Sequence, residues 1–222
     1  MAEFYVGYLP IPPGLKRFAR AVVGALGVLA AGVGITLVLG QRRFDASSFE
    51  FHDYRDFQGV FVSTPYPALV VPGGPPWLLA GGGKHGFAAP AGLGGRSVRI
   101  RGERIQNGAD RAIEVQQVVE AGRGELPAEL DLGRTELTGE IVDSKCYFGV
   151  MNPGRGKVHR DCAARCLSGG IPPALLVRDA SGATRTVLIA NWRRDLLDHV
   201  AEPVTLRGRL ANSSGRLILY TE

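Results

Sequence analysis

Residues 57–61 read Phe-Gln-Gly-Val-Phe, and residues 137–141 read Leu-Thr-Gly-Glu-Ile. In both, apolar residues flank a polar-Gly pair. The likeness continues in the same order along the chain. Pro67-Ala68-Leu69-Val70-Val71 matches Pro173-Ala174-Leu175-Leu176-Val177, and Trp77-Leu78-Leu79-Ala80 matches Val187-Leu188-Ile189-Ala190. Val98-Arg99-Ile100-Arg101-Gly102 matches Val204-Thr205-Leu206-Arg207-Gly208. Each unit closes with a turn and a last apolar run: Asn107-Gly108 before 111–115, and Ser214-Gly215 before 216–220. Four matches in the same order mark an internal duplication. The runs are short, rich in β-branched residues and bounded by Gly and Pro, so each unit reads as five strands. A connector precedes the fourth strand, and in the second unit Trp192 to Val200 reads as a short amphipathic helix.

Five short strands with a helix before the fourth resemble the OB-fold, a small Greek-key barrel. The expected fold is therefore mainly β: two tandem OB-like barrels, 44–119 and 134–222. Gly102 and Gly208 would serve a bulge or bend in their strands. The segment Glu120 to Gly133, with Gly, Pro and charges, reads as the linker. OB-folds often bind oligonucleotides, and the formal charge of +5 points the same way. Yet the Arg residues are scattered, aromatics make up 8%, and no basic run interleaves with stacking residues. This argues against a nucleic-acid partner.

Upstream of the duplication, Ala21 to Gly40 reads AVVGALGVLAAGVGITLVLG without a charge. About 20 apolar residues match the span of a bilayer core. Lys16, Arg17 and Arg20 precede it, and Arg42 and Arg43 follow it. Three against two slightly favours a cytoplasmic N-terminus. A cleaved leader would have a shorter apolar region with a small-residue cleavage site. Retention as a single-pass anchor is expected, with 1–20 cytoplasmic or interfacial and the β part exported to the periplasm. Gly27 with Ala31, and Ala30 with Gly34, are small pairs four apart that let another transmembrane helix approach. Other transmembrane subunits and membrane lipid are thus the expected partners. The segment 1–13, with three Pro and three aromatics, cannot form a long helix.

The units differ most in one loop. About four residues join the first two strands of the first unit, whereas the second has about thirty: DSKCYFGVMNPGRGKVHRDCAARCLSGGIP, residues 143–172. All three cysteines of the chain lie there, with His159. His159, Cys162 and Cys166 stand at i, i+3 and i+7, one face of a short helix that Gly169-Gly170 would end. With Cys146 they form a Cys₃His set, common at structural zinc sites; copper and iron are the other metals such donors take. The rival reading is a disulfide between two cysteines with one left free. Asp143-Ser144 reads as turn or cap chemistry. Lys157, Arg160 and Arg165 would favour thiolates. Lys84-His85-Gly86, after three glycines, is the other candidate: Gly-rich loops can cradle anions, but the full P-loop or dinucleotide pattern is absent, so it reads first as a loop, and His52 and His199 read as surface residues.

The Cys-x3-Cys pair with a nearby His resembles, in spacing alone, the copper chaperones of cytochrome oxidase assembly. The segment 138–177 resembles uncharacterised bacterial exported proteins that carry a D-S-x-C, H, C-x3-C pattern in a small β domain. That likeness implies a bacterial exported domain and no particular activity. No serine-triad, metalloprotease, kinase or heme-attachment motif is present. The leading expectation is a non-catalytic, membrane-anchored accessory subunit in the inner membrane, in a respiratory or other electron-transfer complex. Its Cys146, His159, Cys162 and Cys166 would hold a structural metal, zinc first. A redox or copper-handling protein using the same four residues is the alternative, and a periplasmic glycan- or peptide-binding module is another.

Overall fold

The computed structural model describes residues 7, 10–41, 47–179 and 181–222. The chain divides into two compact units, Met1–Arg43 and Phe44–Glu222.

In the first unit, helix α1 spans Pro13–Gly40. Proline suits the first turn of a helix, because its fixed φ is already helical and that turn needs no N–H. None of the α1 residues is buried; Val28 is 75% exposed and Leu39 80%. An apolar surface on all sides, over this length, is that of a helix able to cross a membrane. The expected span 21–40 is its C-terminal part. Lys16, Arg17 and Arg20 ride on its first turns, and Gly27, Ala30, Ala31 and Gly34 are all exposed. Most of the 1–13 segment, with Arg42 and Arg43, lies outside the described residues.

Among the described residues, the second unit holds ten strands in two closed five-strand barrels. The first comprises β1 (Ser47–Val62), β2 (Ala68–Val70), β3 (Trp77–Ala80), β4 (Arg96–Asn107) and β5 (Asp110–Arg123). The second comprises β6 (Leu130–Asp143), β7 (Pro173–Arg178), β8 (Thr184–Ala190), β9 (Pro203–Ser213) and β10 (Arg216–Thr221). The duplication is real in three dimensions. Around the first barrel the order is β1-β2-β3-β5-β4, and around the second β6-β7-β8-β10-β9. In each, the third and fifth strands pair in parallel and the other neighbours antiparallel. Gly102 does sit at a register shift between β4 and β5, whereas β9 and β10 pair through Gly208 without one. Both glycines serve close approach: a Cβ would lie 2.4 Å from the Glu114 carbonyl oxygen at Gly102, and 2.1 Å from that of Tyr220 at Gly208.

The segment 120–133 is mostly strand rather than linker. β5 runs on to Arg123 because Val98 and Arg96 of β4 still offer partners, Glu120 and Arg123. Leu130 already pairs with Asn212. Only 124–129 connects the barrels.

Each barrel has its own core. Phe61, Leu69, Trp77, Leu79, Val98, Ile100 and Ile113 fill the first, and Ile141, Leu175, Val187, Ile189, Leu206 and Leu219 the second. The connector before β9 is a 3₁₀ turn, Arg194–His199, and its Leu196 seals the second barrel. A third core lies between the barrels. Leu78, Ile105 and Ala112 of the first meet Val142, Phe148, Leu176, Leu188 and Ile218 of the second. Polar ties reinforce it. The Tyr66 hydroxyl donates to the Ile189 carbonyl at 2.6 Å, and burial pushes its pKa up. Arg216, 5% exposed, pairs with Asp110 across the junction at 2.5 Å.

Candidate metal centre

The long loop of the second unit leaves the barrel at Asp143, the last residue of β6 and fully buried. Its carboxylate Oδ1 accepts the Cys146 backbone N–H at 2.8 Å, which turns the chain sharply out of the strand. Phe148, two residues on, enters the core between the barrels and anchors the turn. The Ser144 N–H donates to the Pro172 carbonyl, which closes the base of the loop.

The expected helix is present as α2, Arg160–Ser168. Ala163 and Leu167 bury one face in the second barrel's core. Cys162 and Cys166, one turn apart, share another face. Gly169 caps the helix and Gly170 follows with φ +91°. A left-handed residue just past a helix end favours glycine.

The fold brings the three thiol sulfurs within 4.8 Å of one another. Cys146 and Cys166 are buried, and Cys162 is half-buried. All three are free thiols. The Cys146 and Cys166 sulfurs are 3.9 Å apart, against about 2.05 Å in a disulfide. His159 takes a different place. Its Nε2 meets Asp143 Oδ2 at 3.0 Å, and both are buried. Asp143, Cys146 and His159 form a second group within 4.8 Å. The four expected ligands thus fall into two groups that share Cys146.

The first barrel supplies the rest of the site. Ala80, at the end of β3, packs with Cys146, Cys166 and Ile171. The Gly-rich loop after it lies against the end of α2, where the Gly86 N–H donates to the Gly169 carbonyl at 2.9 Å. A Cβ on Gly169 would come 2.0 Å from the Lys84 carbonyl oxygen, and one on Gly86 would come 2.2 Å from that of Gly170. Side chains at these positions would force the loops apart. The docked loop sets Lys84 Nζ 2.8 Å from the Cys162 sulfur and 3.9 Å from that of Cys166. In return, Lys145 of the second barrel reaches into the first. Its buried Nζ donates to the carbonyls of Gly81 and Gly83, each at 2.7 Å, and pairs with Glu114 at 2.6 Å.

The cation at the thiols is therefore Lys84, not the neighbours in sequence. Arg160 turns away to Glu202 and the Asp198 carbonyl, and Lys157 and Arg165 are exposed. His52, His85 and His199 are exposed as well. The glycine run is a loop as expected, and its lysine, the other candidate in the sequence, lies at the thiols. The one available signal was a Lys set among glycines that let backbone approach closely.

The hydrogen bond from the Cys146 thiol lowers Cys166 to a pKa of about 7, against the opposing effect of burial, and the Lys84 ammonium adds to the lowering. The same contact, joined by burial and by Asp143, pushes Cys146 far up. Lys84 is raised by its hydrogen bond to Cys162. The centre is thus a shared-proton thiol pair beside a third thiol under a cation. Soft donors gathered this closely could hold a metal ion. Set against known protein families, curated proteins and solved structures, the chain matches none.

Proposed function

We propose that this chain is a membrane-anchored, non-catalytic subunit that holds a metal ion at the junction of its two barrels, with Cys146, Cys162 and Cys166 as ligands. The observation that carries the reading is the triangle of three sulfurs within 4.8 Å. Two sulfurs on one tetrahedral zinc at about 2.3 Å lie roughly 3.8 Å apart, close to the separation of Cys146 and Cys166. Charge favours a divalent ion: three thiolates and one such ion leave a single negative charge, which Lys84 offsets. Zinc is the leading candidate.

The remainder of the reading concerns setting. The all-round apolar α1 suits a single-pass anchor in a bacterial inner membrane, with the N-terminus cytoplasmic and the β unit periplasmic. The strand order, with its parallel closure, suits two OB-like barrels. The small-residue pairs of α1 suit packing against other transmembrane subunits, as in an electron-transfer complex. The metal would fix the 143–172 loop of the second barrel beside the Lys84 loop of the first. In the full-length protein in detergent, Cys162→Ser and Cys166→Ser should each lose the bound metal with the strand content intact. Wild-type metal content in both variants would rule the site out.

A second reading rests on the 3.9 Å approach of Cys146 and Cys166. With no metal bound, the two thiols could yield two electrons and two protons to an external disulfide and become a disulfide themselves. Exposure to oxidised glutathione should then remove two thiols per chain, and retention of all three would exclude it.

A further inference from the structure

A metal on three thiolates needs a fourth donor to complete a tetrahedron. In closed structural sites the protein supplies it; in open sites an external ligand does. Here the obvious internal donor is engaged elsewhere. His159 is held by Asp143 at 3.0 Å, and Asp143 is itself fixed by the Cys146 N–H at 2.8 Å. That contact is buried, and it commits the imidazole Nε2 to Asp143 rather than to Cys162 and Cys166. On the outer side of the triangle stands Lys84, 2.8 Å from one sulfur and 3.9 Å from another. An ammonium carries three donors and no lone pair, so it cannot ligate a metal. It can hold an anion that does. Cys162, beside it, is the half-buried thiol of the three, so the approach from solvent runs past Lys84.

We propose that the centre keeps its fourth metal position open to a small external anion with a nitrogen or sulfur donor, and that Lys84 holds this anion against the metal. The inference rests on the three-thiolate metal reading above. The anion is small because the Gly81–Gly86 loop docks on Gly169, at the end of the helix that carries Cys162 and Cys166, and leaves Cys162 only half-exposed. Lys84 is a positioning residue: it acts through the anion and the Cys162 sulfur, not on the metal.

Full-length protein in detergent, loaded with Co(II), tests this. The visible ligand-field bands report the number and type of donors. Azide and, separately, 2-mercaptoethanol are titrated in. The expected result is a saturable shift of these bands with either anion. At equal cobalt loading, Lys84→Met should raise the half-saturating concentration by roughly tenfold or more, the effect of losing a charged hydrogen bond. Lys84→Arg should restore part of it, and His159→Ala should leave the starting spectrum unchanged. Bands that ignore both anions but change in His159→Ala would mean a closed Cys₃His site and overturn the inference while leaving the metal reading intact. Equal titrations in wild type and Lys84→Met would remove Lys84 from it. Failure to bind cobalt through sulfur at all would overturn the metal reading itself, and the inference with it.

Discussion

Lys145 has an ammonium that is almost wholly enclosed, and it sits one residue before a candidate ligand. Its side chain is 3% exposed and meets two carbonyls and the Glu114 carboxylate in the opposite barrel. Burial of a lone charge is costly, and here the three partners offset that cost. Lys145→Met would strand Glu114, so unfolding by urea should show a loss of about 3–5 kcal/mol. A loss under 1 kcal/mol would mean the contact is dispensable. Cys166 gives a second test at this scale. Its folded pKa of about 7 lies below the 9.0 of an ordinary thiol. A lowered pKa stabilises the fold above the unfolded value, and the gain is lost as pH falls through about 7. Metal-free protein should therefore melt at a higher temperature as pH rises through that value. Its thiolate ultraviolet absorbance should rise with the same midpoint, and Cys166→Ser should abolish both effects. Absorbance that rises only with the midpoint of an ordinary thiol would contradict the account of the thiol pair. At this scale the sequence singled out the three cysteines that the fold gathers, but it set His159 with them, whereas the imidazole pairs with Asp143. It offered Lys84 only as a separate loop candidate, because the contact with Cys162 spans 78 positions and leaves no local signal.

Strands β3 and β8 show why some elements were easier to read than their surroundings. Trp77-Leu78-Leu79-Ala80 and Val187-Leu188-Ile189-Ala190 are unbroken apolar runs, and both are buried throughout. Trp77 and Leu79 face the first barrel's interior, while Leu78 joins the core between barrels; Val187 and Ile189 against Leu188 repeat the division. Successive side chains of a strand point to opposite faces, so a run without alternation means burial on both. The duplication, the five strands of each unit and helix α2 followed from local pattern. The junction did not, because the same apolar runs also suit a barrel alone, and nothing local says what covers the outer face. The strand extensions that replaced the expected linker depend on partners more than twenty residues away. Leu188→Ala should cost about 2–5 kcal/mol, as a core truncation does. A cost within about 0.5 kcal/mol would place Leu188 on a solvent face.

For the whole molecule, the shared core makes the two barrels one structural unit, Phe44–Glu222. Continuous packing couples unfolding, so calorimetry should give one transition with matching calorimetric and van't Hoff enthalpies. Two separate transitions would show barrels that merely touch. The candidate metal centre lies on this seam: its sulfurs come from the second barrel, and the Lys84 loop with its cation from the first. A ligand bound there stabilises the joined state by mass action. α1 belongs to the other unit, and its exposed apolar surface is that of a helix long enough to cross a membrane.

Elemental analysis with thiol counting, on full-length protein purified in detergent without chelators, tests the central claim most directly. The account predicts near one metal ion per chain, zinc first, and three thiols that react only after chelation or unfolding. Metal-free protein whose thiols react at once, or that carries a disulfide, would contradict it.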